Sequence, residues 1–237
     1  MLRALGASAV ISMFWAGVAQ SQLAASASIT SDYRYRGGSI GSDQPAMTLN
    51  LSYDAPVNRQ VGSYAGGAAT FGQLPGAGWQ VFSHTEYIGV TGPAFRDATW
   101  DVGASNTFLT AYYGRVSSNY DPELYAGLKT KLFNYYIRYS PHYFQDGVGA
   151  IYAEVDSSAP ISERLRLFAH VGVLTPIAGS VPYYPRREQY DARLGAAAIL
   201  HGAELSVAWT FQRPGYGSNR YGGARRDALI VTATCFF

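Results

Sequence analysis

From Ser28 to Phe237 apolar and polar residues alternate with a period of two, the pattern of strands that show each face to a different environment. Three segments carry it most cleanly. Met47, Leu49, Leu51 and Tyr53 alternate with Thr48, Asn50, Ser52 and Asp54. Ala203, Leu205, Val207, Trp209 and Phe211 alternate with Glu204, Ser206, Ala208, Thr210 and Gln212. Leu229, Val231, Ala233, Cys235 and Phe237 share one face of the last segment, which ends in the aromatic pair Phe236-Phe237. Each apolar face carries aromatics near an end, as a lipid-facing band with interfacial girdles requires. The period predicts an all-β chain folded as a transmembrane, antiparallel, up-and-down β-barrel. Segments of ~10 residues give about twelve strands, with ten and fourteen as the neighbouring even numbers. They are expected over 28–36, 45–54, 63–71, 79–90, 98–109, 123–132, 134–143, 149–157, 164–174, 189–199, 203–212 and 227–237. The fourth and fifth alternate least well.

The connections test this arrangement independently. With both termini on the periplasmic side, those after odd strands are extracellular. They include Thr110–Pro122, Thr175–Glu188 and Arg213–Arg226, all long and rich in Gly, Pro, Tyr and Arg. Those after even strands include short turns near Leu132-Phe133 and His201-Gly202, although Ala55–Gly62 and Ser158–Glu163 are longer. Long outside and short inside is the asymmetry of outer-membrane barrels.

Composition agrees. The 237 residues include 19 Tyr and 26 Gly, only 14 % are charged, and mean hydropathy is −0.05. After the first 20 residues no run of about 20 apolar residues exists, so helical spans are excluded. At the N-terminus Arg3, the apolar stretch Ala4–Ala16 and the small-x-small Gly17-Val18-Ala19 read as a signal peptide. Cleavage is expected after Ala19, with Ser21 as the second choice. Residues 1–19 are thus a leader and 20–237 one barrel domain. A single cysteine, Cys235, excludes an intramolecular disulfide, and a net charge of +2 gives no basis for nucleic-acid binding.

Alternation sends many ionisable side chains to the lumen. A charge on the lipid face near the midplane costs about 2–4 kcal/mol for Arg or Lys, so the interior is their inexpensive place. The expected pore-lining residues are Asp32, Arg34, Arg36, Glu86, Lys129, Arg138, Glu154, Arg166, Asp191, Arg193 and Glu204; Asp54, His84, Lys131, Asp156 and Arg164 fall on the same face. Lumenal bases slightly outnumber acids, which reads either as a weak anion preference or as a structural ion-pair network. Arg186, Arg187, Arg213, Arg220, Arg225 and Arg226 lie in outer loops and suit lipopolysaccharide phosphates, or are ordinary solvated charge. Ser140 and His142 share a face as a Ser-His pair would, but flank Pro141 and lack an identifiable orienting residue. His84 and Glu86 are two potential metal ligands, too few to define a site. No catalytic residue, metal or cofactor is assigned.

Ile29-Thr30-Ser31-Asp32-Tyr33-Arg34-Tyr35-Arg36-Gly37, followed by the polar Ser39–Gln44, Pro45 and the alternating Met47–Tyr53, resembles the opening strand of the TorF-type porins, a proteobacterial family. Gly62-Ser63-Tyr64-Ala65-Gly66, Glu123-Leu124-Tyr125-Ala126-Gly127, Tyr139-Ser140-Pro141-His142-Tyr143-Phe144 and Leu165–Gly172 continue the resemblance in order along the chain. His142 departs from it, standing where Asp is more usual. The resemblance implies an outer-membrane barrel with a pore and brings no solute with it. The expectation is therefore an outer-membrane, porin-like, non-enzymatic channel for small polar or weakly anionic solutes. A closed structural or adhesive barrel acting through its outer loops is the alternative, and an outer-membrane hydrolase the third reading. The expected partners are outer-membrane lipid, lipopolysaccharide, small solutes and the barrel-assembly machinery, with Phe237 as the assembly signal.

Overall fold

A computed structural model describes residues 22–41, 43–58, 60–74, 78–109, 120–144, 146–179, 188–213 and 227–237. The leader residues 1–19 and the loop arginines 186, 187, 220, 225 and 226 lie outside them. In chain order the strands are β1 (Gln22–Thr30), β2 (Arg34–Tyr35), β3 (Gly38–Ser39), β4 (Ala46–Pro56), β5 (Gly62–Leu74), β6 (Gly78–Pro93) and β7 (Thr99–Leu109). They continue with β8 (Tyr120–Lys129), β9 (Phe133–Ser140), β10 (Gly149–Pro160), β11 (Leu165–Ala178), β12 (Gln189–Leu200), β13 (Ala203–Arg213) and β14 (Asp227–Phe236). β1 and β4 to β14 form one closed antiparallel barrel of twelve strands, while β2 and β3 make a separate small ladder. Closure joins the ends of the chain, from Ser26 opposite Phe236 to Thr30 opposite Thr232.

The rim where β1 begins and β14 ends has connections of two to five residues, and the longer ones sit on the opposite, extracellular rim. The turns have local causes. His201 (φ 49) and Gly202 (φ 90) make a two-residue left-handed turn, the form whose twist matches paired strands. Asn58 Oδ1 accepts the N–H groups of Gln60 and Val61 at 2.8 and 2.9 Å and so holds the turn after β4.

Alternation sorts the wall as its period requires. Leu49, Leu51, Ile137, Leu194 and Leu229 are exposed on the lipid side, and Trp209 stacks on Phe211 there at 5.3 Å. Phe237 stands outward at the periplasmic rim, in phase with Leu229 and Val231. Inside, aromatic rings lie across glycines of adjoining strands: Tyr64 over Gly89, Tyr125 over Gly103, Tyr152 over Gly172, Phe168 over Gly195. A ring can lie flat against the wall only where the neighbouring strand has no Cβ, which gives the Tyr- and Gly-rich composition its physical sense.

Three expectations are corrected. The first strand is 22–30, not 28–36: Asp32, Arg34 and Arg36 leave the wall and turn into the lumen. The true β1 is built of Ala and Ser, whose alternation has little hydrophobic contrast, whereas Asp32–Arg36 alternates strongly without being a wall strand. Glu86 and His84 lie on the outer face beside Ile88, not in the lumen. A bulge in the β5–β6 ladder at Thr70/Phe71 buries both Phe82 and Ser83. One extra residue reverses the face of every side chain after it. Lys131 and Arg164 are exposed in periplasmic turns.

At Gly103 a Cβ would fall on the Tyr125 ring and on the Ile88 carbonyl. Gly103→Val should therefore destabilise the barrel by about 1–3 kcal/mol, the usual cost of overpacking. Urea unfolding of the refolded protein in detergent, monitored by the gel shift of folded barrels, measures it.

Candidate functional site

The site is the lumen and the segment that enters it. After Thr30 the chain stops pairing with β4, and Ser31 to Pro45 fold inward as the β2–β3 ladder and its flanks. Arg36 (φ 46) and Gly37 (φ 75) form the two-residue tip. Both are left-handed, as a type I′ turn demands. The tip is pressed against the wall at β12 and β13: a Cβ at Gly37 would lie 2.7 Å from Asp191 Cβ and 2.8 Å from the Phe211 carbonyl. Gln212 Nε2 donates to the Arg36 carbonyl at 3.0 Å.

Within the segment Arg34 Nε donates to Asp32 at 2.7 Å, Ser39 Oγ donates to the same carboxylate at 2.6 Å, and Arg34 reaches Asp43 at 3.3 Å. Burial pushes the Asp32 carboxyl up, while the Ser39 hydrogen bond and the Arg34 charge hold it down; the net direction is upward. Ile40 packs with Phe82, Leu109, Tyr143, Phe144, Val148 and Leu174 in a dry cluster inside the extracellular half, with Tyr33 and Tyr35 against it. Arg36 is paired with Glu123 and lies 3.6 Å from Asp121, whose side chain is fully buried. Its guanidinium sits over the rings of Tyr152, Tyr35 and Tyr143 at 4.2, 5.0 and 5.2 Å.

Below this the wall charges pair with one another. Arg138 donates to Glu154 at 2.7 Å and lies 3.9 Å from Glu123. Arg166 forks onto Glu204 at 2.7 and 3.0 Å. Lys129 reaches Asp101 at 2.6 Å, and the Tyr64 and Tyr136 hydroxyls donate to the same carboxylate. His170 stands between Asp156 and Asp191, one on each ring nitrogen at 2.9 Å. Arg193 forms no ion pair among the described residues. It lies over Phe168 at 5.5 Å, with Nε buried and unpartnered.

Of the eleven residues expected to line a pore, Lys129, Arg138, Glu154, Arg166, Asp191, Arg193 and Glu204 are on the inner wall. Asp32, Arg34 and Arg36 fill the lumen instead of lining it, and Glu86 is outside. Sequence reasoning missed Asp101, Asp121, Glu123 and His170. Asp101 occurs in β7, one of the two stretches that alternate least well, whereas Asp121, Glu123 and Tyr125 at alternate positions of β8 did carry the signal. The ligand atoms of Glu154, Asp156 and His170 lie within 4.8 Å of one another and could hold a metal ion, but Arg138 already engages Glu154 and the two aspartates engage His170. Ser140 is buried and accepts the His142 N–H at 3.3 Å. The His142 ring turns elsewhere, Nε2 to Asp146 at 2.6 Å and Nδ1 to the Tyr120 carbonyl at 3.3 Å, so His142 is not a base on the Ser140 hydroxyl.

Closed, lipid-girdled and polar inside, this is a bacterial outer-membrane β-barrel. The chain belongs to the family described as "Bacterial protein of unknown function (Gcw_chp)", which matches residues 16–236. No curated protein matches it in sequence. In fold it is similar to an outer-membrane channel from Pseudomonas putida F1, at 11 % identity and TM-score 0.55, covering 93 % of this chain and 96 % of that one. It is also similar to a membrane protein solved in work on in-meso crystallization, at 6 % identity and TM-score 0.56, covering 91 % of this chain and 83 % of that one. LpxR from Salmonella typhimurium is more distant, at 11 % identity and TM-score 0.45, covering 90 % and 99 %. At these identities the likeness is one of fold.

The loop Pro141–Val148 supplies Tyr143 and Phe144 to the dry cluster, and His142 clips it. Burial opposes charge on His142, but the Asp146 and Tyr120 hydrogen bonds outweigh it and raise its pKa above the ordinary 6.5. A raised basic pKa stabilises the docked loop fully below about pH 6.5 and loses that contribution as pH rises through the folded value. Amide exchange at Tyr143 and Phe144 should therefore quicken between neutral and alkaline pH beyond its intrinsic increase, and His142→Ala should abolish the excess.

Proposed function

We propose that the protein is a channel for small polar solutes whose closed state is held by the inturned segment Ser31–Pro45. This is the porin activity that the TorF-type resemblance implies, with a gate added. One observation carries it: the occluding element is a short stretch of the first extracellular connection, anchored by side chains, inside a wall lined by charged and tyrosine side chains. A barrel meant only as a structural post needs no separable stopper. The expected anion preference is weakened, because Arg34, Arg36, Lys129, Arg138 and Arg166 each meet a carboxylate, while Arg193 forms no ion pair among the described residues. The closed structural barrel stays as the second reading, favoured by those same wall pairs. A hydrolytic role finds no support in the surroundings of Ser140. Contact with lipopolysaccharide through the outer-loop arginines is consistent with this location.

Planar-bilayer recording separates the two readings. The wild-type protein should show small or infrequent conductance steps. Replacing residues 32–43 with a short Gly-Ser linker should raise conductance several-fold. Silence from both proteins, with the variant shown to be folded, would overturn the channel.

Assembly gives a second test. Phe237 is proposed as the terminal aromatic recognised by the barrel-assembly machinery. Deleting it should leave the chain exported but reduce its insertion in the outer membrane, as read by membrane fractionation. Normal insertion would remove Phe237 from that role.

A further inference from the structure

The pocket that receives Arg36 is better furnished than a tether requires. Position 36 is the first residue of a two-residue type I′ turn, where Asn, Asp or Gly adopts a positive φ at little cost. A long side chain there is disfavoured, so the arginine earns its place through its guanidinium. That group enters a recess whose parts come from three separate wall elements. Asp121 and Glu123 project from β8, Tyr152 from β10, and Tyr143 from the loop between β9 and β10. Two carboxylates and the faces of two tyrosine rings around one guanidinium form the arrangement that recognises guanidinium and ammonium ions.

The fit is incomplete. Arg36 Nη1 is buried without a hydrogen bond, and so is Asp121 Oδ1, in a carboxylate with no solvent exposure. A buried carboxylate oxygen left unpaired costs free energy that a better-placed donor would recover. The turn fixes the Arg36 backbone against Asp191 and Gln212, and a free cation is under no such constraint.

From this juxtaposition we propose that Asp121, Glu123, Tyr143 and Tyr152 form a binding site for small guanidinium-bearing solutes, which the chain's own Arg36 occupies while the lumen is closed. Such a solute competes with a tethered occupant whose effective concentration is of order millimolar, so only abundant cations displace it. Arg138 stands near Glu123 and tempers the negative charge without filling the recess, since its Nε is committed to Glu154. That a solute reaches the recess from outside rests on the channel reading above; that the recess binds one does not.

The test uses the full chain with Arg36→Gly, a substitution that suits the turn and vacates the recess. L-Arginine is titrated into the refolded protein by calorimetry, with the neutral isostere L-citrulline as control. The expected result is saturable arginine binding to R36G and none of citrulline. Wild-type protein should bind more weakly than R36G. Adding Glu123→Gln to R36G should weaken arginine binding about tenfold or more, the loss of one charge-assisted hydrogen bond. Equal binding of arginine and citrulline, or no arginine binding to folded R36G, overturns the proposal. If R36G does not refold, Arg36→Met keeps the apolar stem and meets the same criteria. Conductance of the 32–43 replacement distinguishes the two claims: a silent variant beside an R36G that binds arginine sinks the channel and leaves the site. A conducting variant beside an R36G that does not bind sinks the site alone.

Discussion

A backbone that crosses hydrocarbon has no water to pair with, so every N–H and C=O has to find a partner in the protein itself. In this chain the constraint is met at one joint. β1 takes β4 on one edge and β14 on the other, and without it two strand edges would face lipid. β1 is poorly apolar, with Leu23 and Ile29 its only large outward side chains, and is recruited to the wall by its hydrogen bonds more than by its surface. It ends at Thr30, while β14 runs on to Asp227 opposite Phe211. Ser31 makes the transition. Its N–H donates to the Val231 carbonyl at 2.9 Å and its hydroxyl accepts the Val231 N–H at 3.0 Å. The inturned segment begins where closure ends, so its entry into the lumen is a direct consequence of how the seam is finished.

Inside the wall the constraint falls on side chains. Aromatic rings cover glycines, and ions meet in pairs. A pair buried this way gives little net stability, because desolvation offsets much of the attraction, but removing one member strands the other at a cost of about 3–5 kcal/mol. The lumenal network therefore specifies an arrangement more than it strengthens the barrel. Arg36 illustrates the point. It joins the segment to β8 through Glu123, and Glu123 is shared with Arg138, which joins β8 to β10 through Glu154. Position of the stopper and spacing of the wall are thereby linked.

The legibility of the sequence follows the same division. β4, β13 and β14 were plain because Leu, Val and Trp alternate with Thr, Ser and Gln, a contrast that lipid on one side and water on the other enforce. β1 was misplaced because Ala and Ser alternate without contrast, while Asp32-Tyr33-Arg34-Tyr35-Arg36 alternates in a segment whose tyrosines face the dry cluster and not lipid. The outward position of Glu86 was hidden by a single bulged residue at Phe82. Period-two reasoning propagates a phase error to every later position in a strand, and no local residue marks it. Terminal features escaped this problem: Phe236 and Phe237 belong to a strand with unbroken alternation, and their inward and outward directions follow from it.

Charge counting fails for a different reason. The lumenal bases were read as a small excess, but a count along a face has no information about the neighbouring strand. Antiparallel pairing puts Asp156 directly opposite His170, and the next strand brings Asp191 to the ring's other nitrogen. On β8, alternate positions put Asp121 beside Glu123, and the cation that answers them comes from Arg36, a residue eighty-odd positions away that is not on the wall at all. The field a solute would meet is set by what remains after such pairing. At the level of the inturned tip that remainder is an acidic oxygen on Asp121, and at the level of Phe168 it is a guanidinium nitrogen on Arg193. Removing Arg36 from its recess would uncover two carboxylates at once. If the inturned segment acts as the proposed gate, the sign of the passage depends on the gate's position, and its withdrawal would make the lumen locally acidic at Asp121 and Glu123.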